Sequence, residues 1–384
     1  MQSLKTPFYL YSTSIIYNQI DKIMFCGLSK SHIHFSLMAN NNIHLLKLIK
    51  ERGLGVFTSS ISELLIALNV GFTNDKIIFC SSNLKKTEIE QIVKINPVVI
   101  ADSYNQLVKY LQCGITQIGI RISFESSFYK KYNHLEIHRQ GISEKQLQQT
   151  IDLCHKTNAK IIGIHSYFGT NISDVDFYKA GLSKLLKCAT LFNNIEFIDA
   201  SGGFGLDFTK EESDFGIEEI VTEFHKARLK HPQLSSSIEL KIEPGRYIIA
   251  PAGRFICSVT EKFEKDGKIF IGVDANLAIF PRPYIYKSQH RITVFKRVKE
   301  TDKILRHVYI VGNSAKSDDF FACDVDFPFV EEGDLLCFHY AGAYCYSMSS
   351  NFCAQLKPAE YLLTTDNNIQ KIRDEETVDM FLGK

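Results

Sequence analysis

Between about residues 32 and 250, short apolar segments alternate with longer segments of helical periodicity. The segment from Ser60 to Val70 starts with a serine and has Glu63 three residues on, the capping-box pattern that opens a helix. The predicted helices include Asn42–Arg52, Ser60–Val70, Lys86–Ile95 and Tyr104–Gln112. The predicted strands are Ile33–Leu37, Gly55–Thr58, Lys76–Cys80, Val98–Ala101, Ile118–Ile122, Lys160–His165, Ile195–Ala200 and Ile238–Glu243.

About eight strand–helix pairs in roughly 220 residues favour a closed (β/α)8 TIM-type barrel over a doubly wound sheet. After Pro251 helical periodicity nearly disappears, and short strands separated by turn residues take its place. We therefore expect an α/β barrel over residues 30–252 and a mainly-β domain built from residues 1–29 and 253–384. The Tyr9–Tyr11 segment is expected to pair within that second domain. Its other predicted strands are Arg254–Phe263, Lys268–Val273, Ile292–Arg297, His307–Val311, Asp334–His339 and Glu360–Thr364.

The charge balance excludes one class of function. The chain has 44 Lys and Arg against 43 Asp and Glu, so no excess of cations is present to hold nucleic acid through its phosphates. No apolar run approaches the ~20 residues that span a bilayer, and the first residues carry no signal-peptide pattern. The ten cysteines form no Cys-x-x-Cys pair, so reduced thiols are expected and no metal site is predicted. These features predict a cytoplasmic protein with a small-molecule ligand.

Two predicted strands end in segments that could bind an anionic ligand. Ser201–Gly205 has three glycines, and such a loop lets backbone N–H groups approach an anion, although a plain tight turn has the same composition. The next strand ends in Glu243-Pro244-Gly245-Arg246, where a carboxylate and a guanidinium could hold a ring nitrogen and a phosphate. A surface salt bridge is the alternative for that pair.

Taken together, these segments and others resemble the fold type III (alanine racemase-like) pyridoxal-phosphate decarboxylases, the family of diaminopimelate and eukaryotic ornithine decarboxylases. The resemblance covers essentially the whole chain, with order and spacing agreeing throughout. Its further segments are Thr6–Tyr11, Gly163–Thr170, Pro251–Gly253, Pro281–Pro283 with Tyr286 and His290, Ala341–Tyr344, Ser347–Asn351 and Lys357–Glu360.

The resemblance implies a role for each matched position. Glu243 would keep the pyridine nitrogen of pyridoxal 5′-phosphate protonated, so that the ring accepts the electrons left by departing CO₂. The positions implied for the rest of the cofactor are Tyr167, Thr170, Gly202, Gly203, Arg246 and Tyr344. Those implied for the substrate are Arg282, Tyr286, Lys316 and Asp319. The resemblance also implies a homodimer in which the β domain, Tyr344 and the loop Ala315–Asp319 complete the site at the interface.

Four positions depart from the family pattern. Met38 occupies the place of the lysine that binds the cofactor aldehyde, and a thioether cannot form that bond. Ala315 stands where the family has a proton-donating cysteine, and Cys323 could replace it only if the loop folded back. Tyr167 replaces a ring-stacking histidine, and Phe57 replaces an aspartate. The positions that bind ring and phosphate are thus present, whereas those for covalent and proton-transfer chemistry are absent.

These departures leave more than one interpretation. The chain is an amino-acid decarboxylase that holds its cofactor non-covalently, or a non-catalytic homologue that binds the cofactor or a ligand, alone or paired with an active paralogous subunit. Replacement of a lysine at position 38 alone would not explain Phe57, Tyr167 and Ala315. Lys316 near Arg282 would make the distal pocket cationic, which predicts a carboxylate-bearing substrate, whereas a solvent-facing Lys316 would not.

Overall fold

The computed structural model describes residues 4–132, 139–297 and 303–383. Its strands, in chain order β1 to β18, are Phe8–Ser12, His34–Ser36, Gly55–Thr58, Ile77–Phe79, Val98–Ala101, Gln117–Ser123, Ile142–Ser143, Lys160–His165, Phe197–Asp199, Glu239–Lys241, Gly253–Lys265, Lys268–Val273, Ile292–Phe295, Ile304–Val311, Phe320–Pro328, Leu335–Phe338, Ala359–Leu363 and Ile369–Arg373. Its helices, α1 to α12, are Thr13–Phe25, Ile43–Glu51, Ile61–Val70, Lys86–Ile95, Tyr104–Gln112, Ser126–Lys131, Leu147–Thr157, Val175–Ala189, Ile217–Leu229, Arg246–Ile249, Arg282–Tyr286 and Asp379–Leu382.

The first large sheet is a parallel barrel. Its strands follow the order β10-β9-β8-β6-β5-β4-β3-β2, and the short β7 pairs with β6. A parallel bridge between Ile33 and Ile242 joins the two ends of this order, with His34 N donating to Ile242 O at 2.9 Å. The predicted α/β barrel is therefore confirmed.

Helix starts in the barrel follow local side-chain chemistry. Ser60 caps α3 by accepting a hydrogen bond from Glu63 N at 3.2 Å, as its sequence pattern predicts. The Glu63 carboxylate accepts a hydrogen bond from Ser59 N at 2.7 Å, whereas in a standard capping box it would accept from Ser60 N. Gly71 ends the helix with a φ of +93°, a left-handed value that glycine adopts without strain.

One part of the barrel interior is an apolar cluster. Phe57, Ile78, Cys80, Ile100 and Phe197 form a buried cluster, against which the half-buried Met38 packs together with Val98 and Ile162. Burying one large apolar side chain stabilises a fold by about 1.5–3 kcal/mol. The cluster thus holds the strand ends in place beneath the residues that follow them.

The second large sheet is mainly antiparallel. Its order is β15-β14-β12-β11-β1-β17-β18, and β16 joins β11 to β13. Strand β1 runs antiparallel to β11 and parallel to β17, which places the Tyr9–Tyr11 segment in the middle of this sheet, as expected. The Tyr11 hydroxyl donates to the fully buried Glu360 carboxylate at 2.5 Å. Strands β15 and β18, at the two sheet edges, were not predicted from the sequence.

The chain forms two compact units. The barrel unit comprises Ile20–Leu206 and Asp214–Tyr247, and the β unit comprises the residues up to Gln19, Asp207–Ser213 and the chain from Ile248 onward. Among the helices of the described residues, none has the length and apolar character needed to cross a membrane.

Candidate active site

The carboxyl ends of neighbouring barrel strands carry a connected row of buried polar side chains. Arg121 on β6 donates through Nη1 to Asp102 at 2.6 Å and through Nε to His165 Nδ1 at 3.2 Å. His165 ends β8, and its Nε2 lies 3.3 Å from Glu243 Oε1. All four side chains are buried. Parallel strands place their carboxyl ends at one rim, which is where barrel proteins build their sites.

The position of Arg121 determines the tautomer of His165. Burial and the Arg121 cation lower the pKa of His165 to about 3, so the imidazole is neutral. Because Nδ1 accepts from Arg121, the single ring hydrogen resides on Nε2 and faces Glu243. His165, Asp199 and Glu243 place possible metal-ligating atoms within 4.8 Å of one another. The hydrogen on Nε2 nevertheless occupies the lone pair that a metal would need.

Asp199 and Glu243 form a coupled pair of acids. Burial raises the pKa of both carboxyl groups, and the Glu243 charge adds to the rise at Asp199. Ser201 Oγ donates to Glu243 Oε2 at 3.0 Å, and Ser201 N donates to Asp199 Oδ1 at 2.8 Å. Asp199 Oδ2 and Glu243 Oε1 are both buried without a hydrogen-bond partner.

The glycine-rich loop after β9 is packed against two other backbone segments. A Cβ on Gly202 would lie 2.1 Å from Glu243 O, and a Cβ on Gly203 would lie 2.0 Å from Gly169 O. Gly203 also has a φ of +80°. Both glycines are therefore required by backbone contact, which fixes the loop beside Glu243 and beside the segment that carries Thr170.

Arg246 and Thr170 come together, as their shared implied role requires. Arg246 Nη2 donates to Thr170 Oγ1 at 2.7 Å. Arg246 is buried and begins α10, whereas Thr170 is exposed at the end of the loop that follows β8. The pair presents a guanidinium and a hydroxyl next to the glycine loop, a donor set that suits an anion such as a phosphate.

Met38 and Phe57 lie at the barrel rim in apolar surroundings. Met38 is in the short 3-10 turn Leu37–Ala39 that follows β2, and it packs on the interior cluster that includes Phe57. The Phe57 ring stacks on His165, with 6.2 Å between ring centroids and 10° between planes. Tyr167 lies half-buried two residues after His165. An apolar ring at position 57 adds no charge beside His165, where burial and the Arg121 cation outweigh the aspartates that favour its protonated form.

In the β unit, Arg282 is buried among aromatic rings. Its guanidinium carbon lies 4.3 Å from the Phe208 ring centroid and 5.0 Å from that of Tyr286. Tyr286 itself is 44% exposed. Burial lowers the pKa of the neighbouring His290 to about 3, which keeps its imidazole neutral beside the Arg282 cation. Arg282 therefore contributes a buried positive charge to this region.

The loop around Ala315 is also in the β unit. Lys316 Nζ lies 2.6 Å from Asp318 Oδ1 and 5.3 Å from the Tyr284 ring centroid, so an ion pair offsets its charge. Buried Asp319 shapes the loop by accepting from Leu277 N at 2.9 Å and from Ser314 Oγ at 2.6 Å. Cys323 is exposed within β15, so the fold-back needed for it to replace Ala315 is not made. Tyr344 belongs to this unit too and is half-buried with a φ of +56°.

Sequence reasoning assigned no role to Asp102, Arg121, His165 and Asp199, and it named Ser201 only as part of the glycine-rich loop. Each is a polar residue at or near the carboxyl end of a barrel strand, and that position is the signal that could have identified it. Their mutual contacts depend on the strand order β5-β6-β8-β9-β10, which the spacing of residues does not give.

Comparison with known proteins gives a consistent result. Residues 17–250, more than half of the chain, match the model "Pyridoxal-dependent decarboxylase, pyridoxal binding domain". Diaminopimelate decarboxylase of Methanothermobacter thermautotrophicus is 28% identical over 398 positions, covering 99% of this chain and 91% of the relative. The structure of Helicobacter pylori diaminopimelate decarboxylase complexed with L-lysine superposes with a TM-score of 0.88 at 28% identity, covering 100% of this chain and 97% of that one. Vibrio vulnificus lysine/ornithine decarboxylase complexed with putrescine shares the fold, with a TM-score of 0.80 at 18% identity, covering 96% of each chain.

Proposed function

Because the chain belongs to the family of pyridoxal-dependent decarboxylases, we propose that it holds pyridoxal 5′-phosphate without a covalent bond and decarboxylates an amino acid. The observation that carries this proposal is the buried Glu243 carboxylate at the barrel rim, with Oε1 making no aligned hydrogen bond. An acceptor in this state suits the protonated nitrogen of a pyridine ring.

The residues at the rim fit the non-covalent parts of the cofactor. Glu243 would hold the ring nitrogen, and Arg246 with Thr170 would hold the phosphate beside Gly202 and Gly203. Met38 does not fit the covalent part, because a thioether cannot bond to an aldehyde carbon. When bound, the cofactor supplies a ring that accepts the electron pair released as a carboxyl group leaves.

The chain's own residues would keep that ring protonated. Ser201 donates to Oε2 of the Glu243 carboxylate, and the Arg121 cation lies near it. Both favour the ionised form of Glu243, which is the form that keeps a proton on a ring nitrogen. Tyr167, two residues after His165, would supply an aromatic face for the ring.

For the substrate we propose an amino acid with a carboxylate at its distal end. The buried Arg282 guanidinium supports this class, because it can pair with a carboxylate through two parallel hydrogen bonds. Lys316 adds little, since Asp318 offsets its charge. Stronger binding of lysine or ornithine than of their carboxylated analogues would contradict this assignment.

A second candidate function is non-catalytic binding of the cofactor or a ligand. It is supported by the packing of Met38 on the Phe57 cluster, which replaces two chemically active positions of the family with apolar contacts. Ala315 in the exposed loop of the β unit likewise offers no proton to a product. In this case the protein would bind without turnover, alone or with a paralogous subunit.

One set of measurements separates the two candidates. Purified protein is mixed with pyridoxal 5′-phosphate, its visible spectrum is recorded, and borohydride reduction is followed by peptide mass mapping. CO₂ release is then measured over a panel of amino acids. Non-covalent binding with CO₂ release supports the decarboxylase, and binding without release supports the non-catalytic protein. A borohydride adduct on a lysine would refute the non-covalent mode.

The Met38→Lys variant locates the remaining defect. Restoring an amine at this position should permit a covalent bond to the cofactor and produce a new visible absorption band. A band without CO₂ release would place the remaining defect elsewhere, with Ala315→Cys as the next variant. Met38→Leu is the matched control, because it keeps an apolar side chain of similar volume and should leave the spectrum unchanged.

We also propose a cytoplasmic homodimer, in line with the site sharing that the family resemblance implies. Light scattering of the purified chain at several concentrations tests the oligomeric state. A monomer at all concentrations, both with and without cofactor, would refute it.

A further inference from the structure

The buried acid pair at the barrel rim has one serine placed between its members. Ser201 Oγ donates to Glu243 Oε2 at 3.0 Å while Ser201 N donates to Asp199 Oδ1 at 2.8 Å. Ser201 has a φ of +59°, a left-handed conformation that glycine adopts more easily than serine. The serine therefore accepts a backbone cost at a position where its hydroxyl reaches Glu243.

The hydrogen bonds of the pair distinguish its two members. Glu243 Oε2 accepts the Ser201 hydroxyl, whereas Oε1 lies 3.3 Å from His165 Nε2 without an aligned hydrogen bond. Asp199 Oδ1 accepts the Ser201 amide, and Asp199 Oδ2 is buried without a hydrogen-bond partner. The Ser201 hydroxyl and the Arg121 cation thus favour charge on Glu243.

Other titratable groups also face the acid pair. Those facing it are Cys80, Asp102, Arg121, His165 and Tyr178. Burial raises the pKa of the Cys80 thiol to about 12 and that of the Tyr178 hydroxyl well above its usual value. His165 is neutral, and Asp102 and Arg121 are committed to their own ion pair.

We infer that Ser201 is a positioning residue that favours the ionised form of Glu243, so that this carboxylate can accept a ring N–H. This inference deepens the proposed function and rests on it. The ligand class is a phosphorylated heteroaromatic ring with a protonatable nitrogen. Binding of such a ring weakens wherever Glu243 takes up a proton, because the carboxyl group then ceases to be an ionised acceptor.

The test uses 4′-deoxypyridoxine 5′-phosphate, which has the ring and phosphate but no aldehyde to react with lysines. Its affinity for the full chain is measured by fluorescence titration from acid to neutral pH. Removing a hydroxyl that favours the ionised carboxylate raises the pKa of Glu243, so Ser201→Gly should move the acidic limb of the binding profile up by about one pH unit. Affinity on that limb then falls about tenfold. The left-handed backbone suits glycine, so this variant should fold.

Ser166→Ala is the matched control. The Ser166 hydroxyl is also buried in the barrel unit, but it donates to Ile122 O at 2.9 Å and not to the acid pair. Its acidic limb should coincide with that of the wild type. The ligand's own titration is the same for every variant, so a shift of the acidic limb must come from the protein. If the binding profile of Ser201→Gly also coincides with that of the wild type, the inference is overturned.

Failure of the wild type to bind 4′-deoxypyridoxine 5′-phosphate at any pH would refute the proposed function and not the role of Ser201 alone.

Discussion

Replacing Asp102 by asparagine tests the buried ion pair between Asp102 and Arg121 at the barrel rim. Asp102 Oδ1 accepts from Arg121 Nη1 at 2.6 Å, and only 5% and 8% of the two side chains are exposed. Asparagine has the same shape but no charge, so the Arg121 cation would remain buried without its anion. Breaking a buried ion pair in this way costs about 3–5 kcal/mol. We expect the lower end of that range, because the amide oxygen can still accept one hydrogen bond from Arg121.

The assay is urea unfolding followed by circular dichroism, with the change in midpoint converted through the slope of the transition. The control is Glu90→Gln on α4. The Glu90 carboxylate lies 3.9 Å from Lys86 Nζ, and both side chains are more than half exposed. Exposed pairs of this spacing contribute about 0.3–0.5 kcal/mol. A loss for Asp102→Asn no larger than that of the control would refute the buried-pair reasoning.

Two further predictions concern packing and a buried hydrogen bond. A Cβ on Gly163 would lie 2.0 Å from the Phe197 ring. Gly163→Ala should therefore lower the free energy of unfolding, measured in urea, by about 1–3 kcal/mol. Adding Phe197→Leu should recover part of this loss. Tyr11→Phe removes a hydrogen-bond donor to the buried Glu360 carboxylate and should lower the free energy of unfolding by about 1.5–3 kcal/mol. Backbone amides of β1 and β17 should then exchange with solvent faster than in the wild type, and unchanged exchange would contradict the prediction.

The barrel was predictable because its strands are short apolar runs between helical segments. The errors are local and have physical causes. Leu37, predicted to end the first barrel strand, instead opens the 3-10 turn that carries Met38. Strand β15 escaped prediction because Asp324, Asp326 and Pro328 interrupt its apolar pattern. It lies at the edge of its sheet, where polar residues and proline are tolerated.

The candidate site was predictable where a residue type is distinctive in its own segment. Glu243 and Arg246 flank a Pro-Gly turn, and the glycines after β9 cluster visibly. Arg121 and His165 gave no such signal, because each lies in a mainly apolar strand. Their roles come from neighbours that lie on other strands, and a linear pattern does not reveal which strands become adjacent.

The central place of β1 in the second sheet determines the order in which the protein can be completed during synthesis. The strand is made before the barrel, but its antiparallel neighbour β11 follows the barrel, and its parallel neighbour β17 comes later still. While the barrel is being translated, the apolar Phe8–Ser12 segment therefore has neither partner, the state in which strand edges pair with other chains. The barrel can fold first, but the sheet of the β unit can close only once β17 has emerged. A nascent chain stalled before Ala359 would leave this segment half-paired, and aggregation at that stage would begin from it.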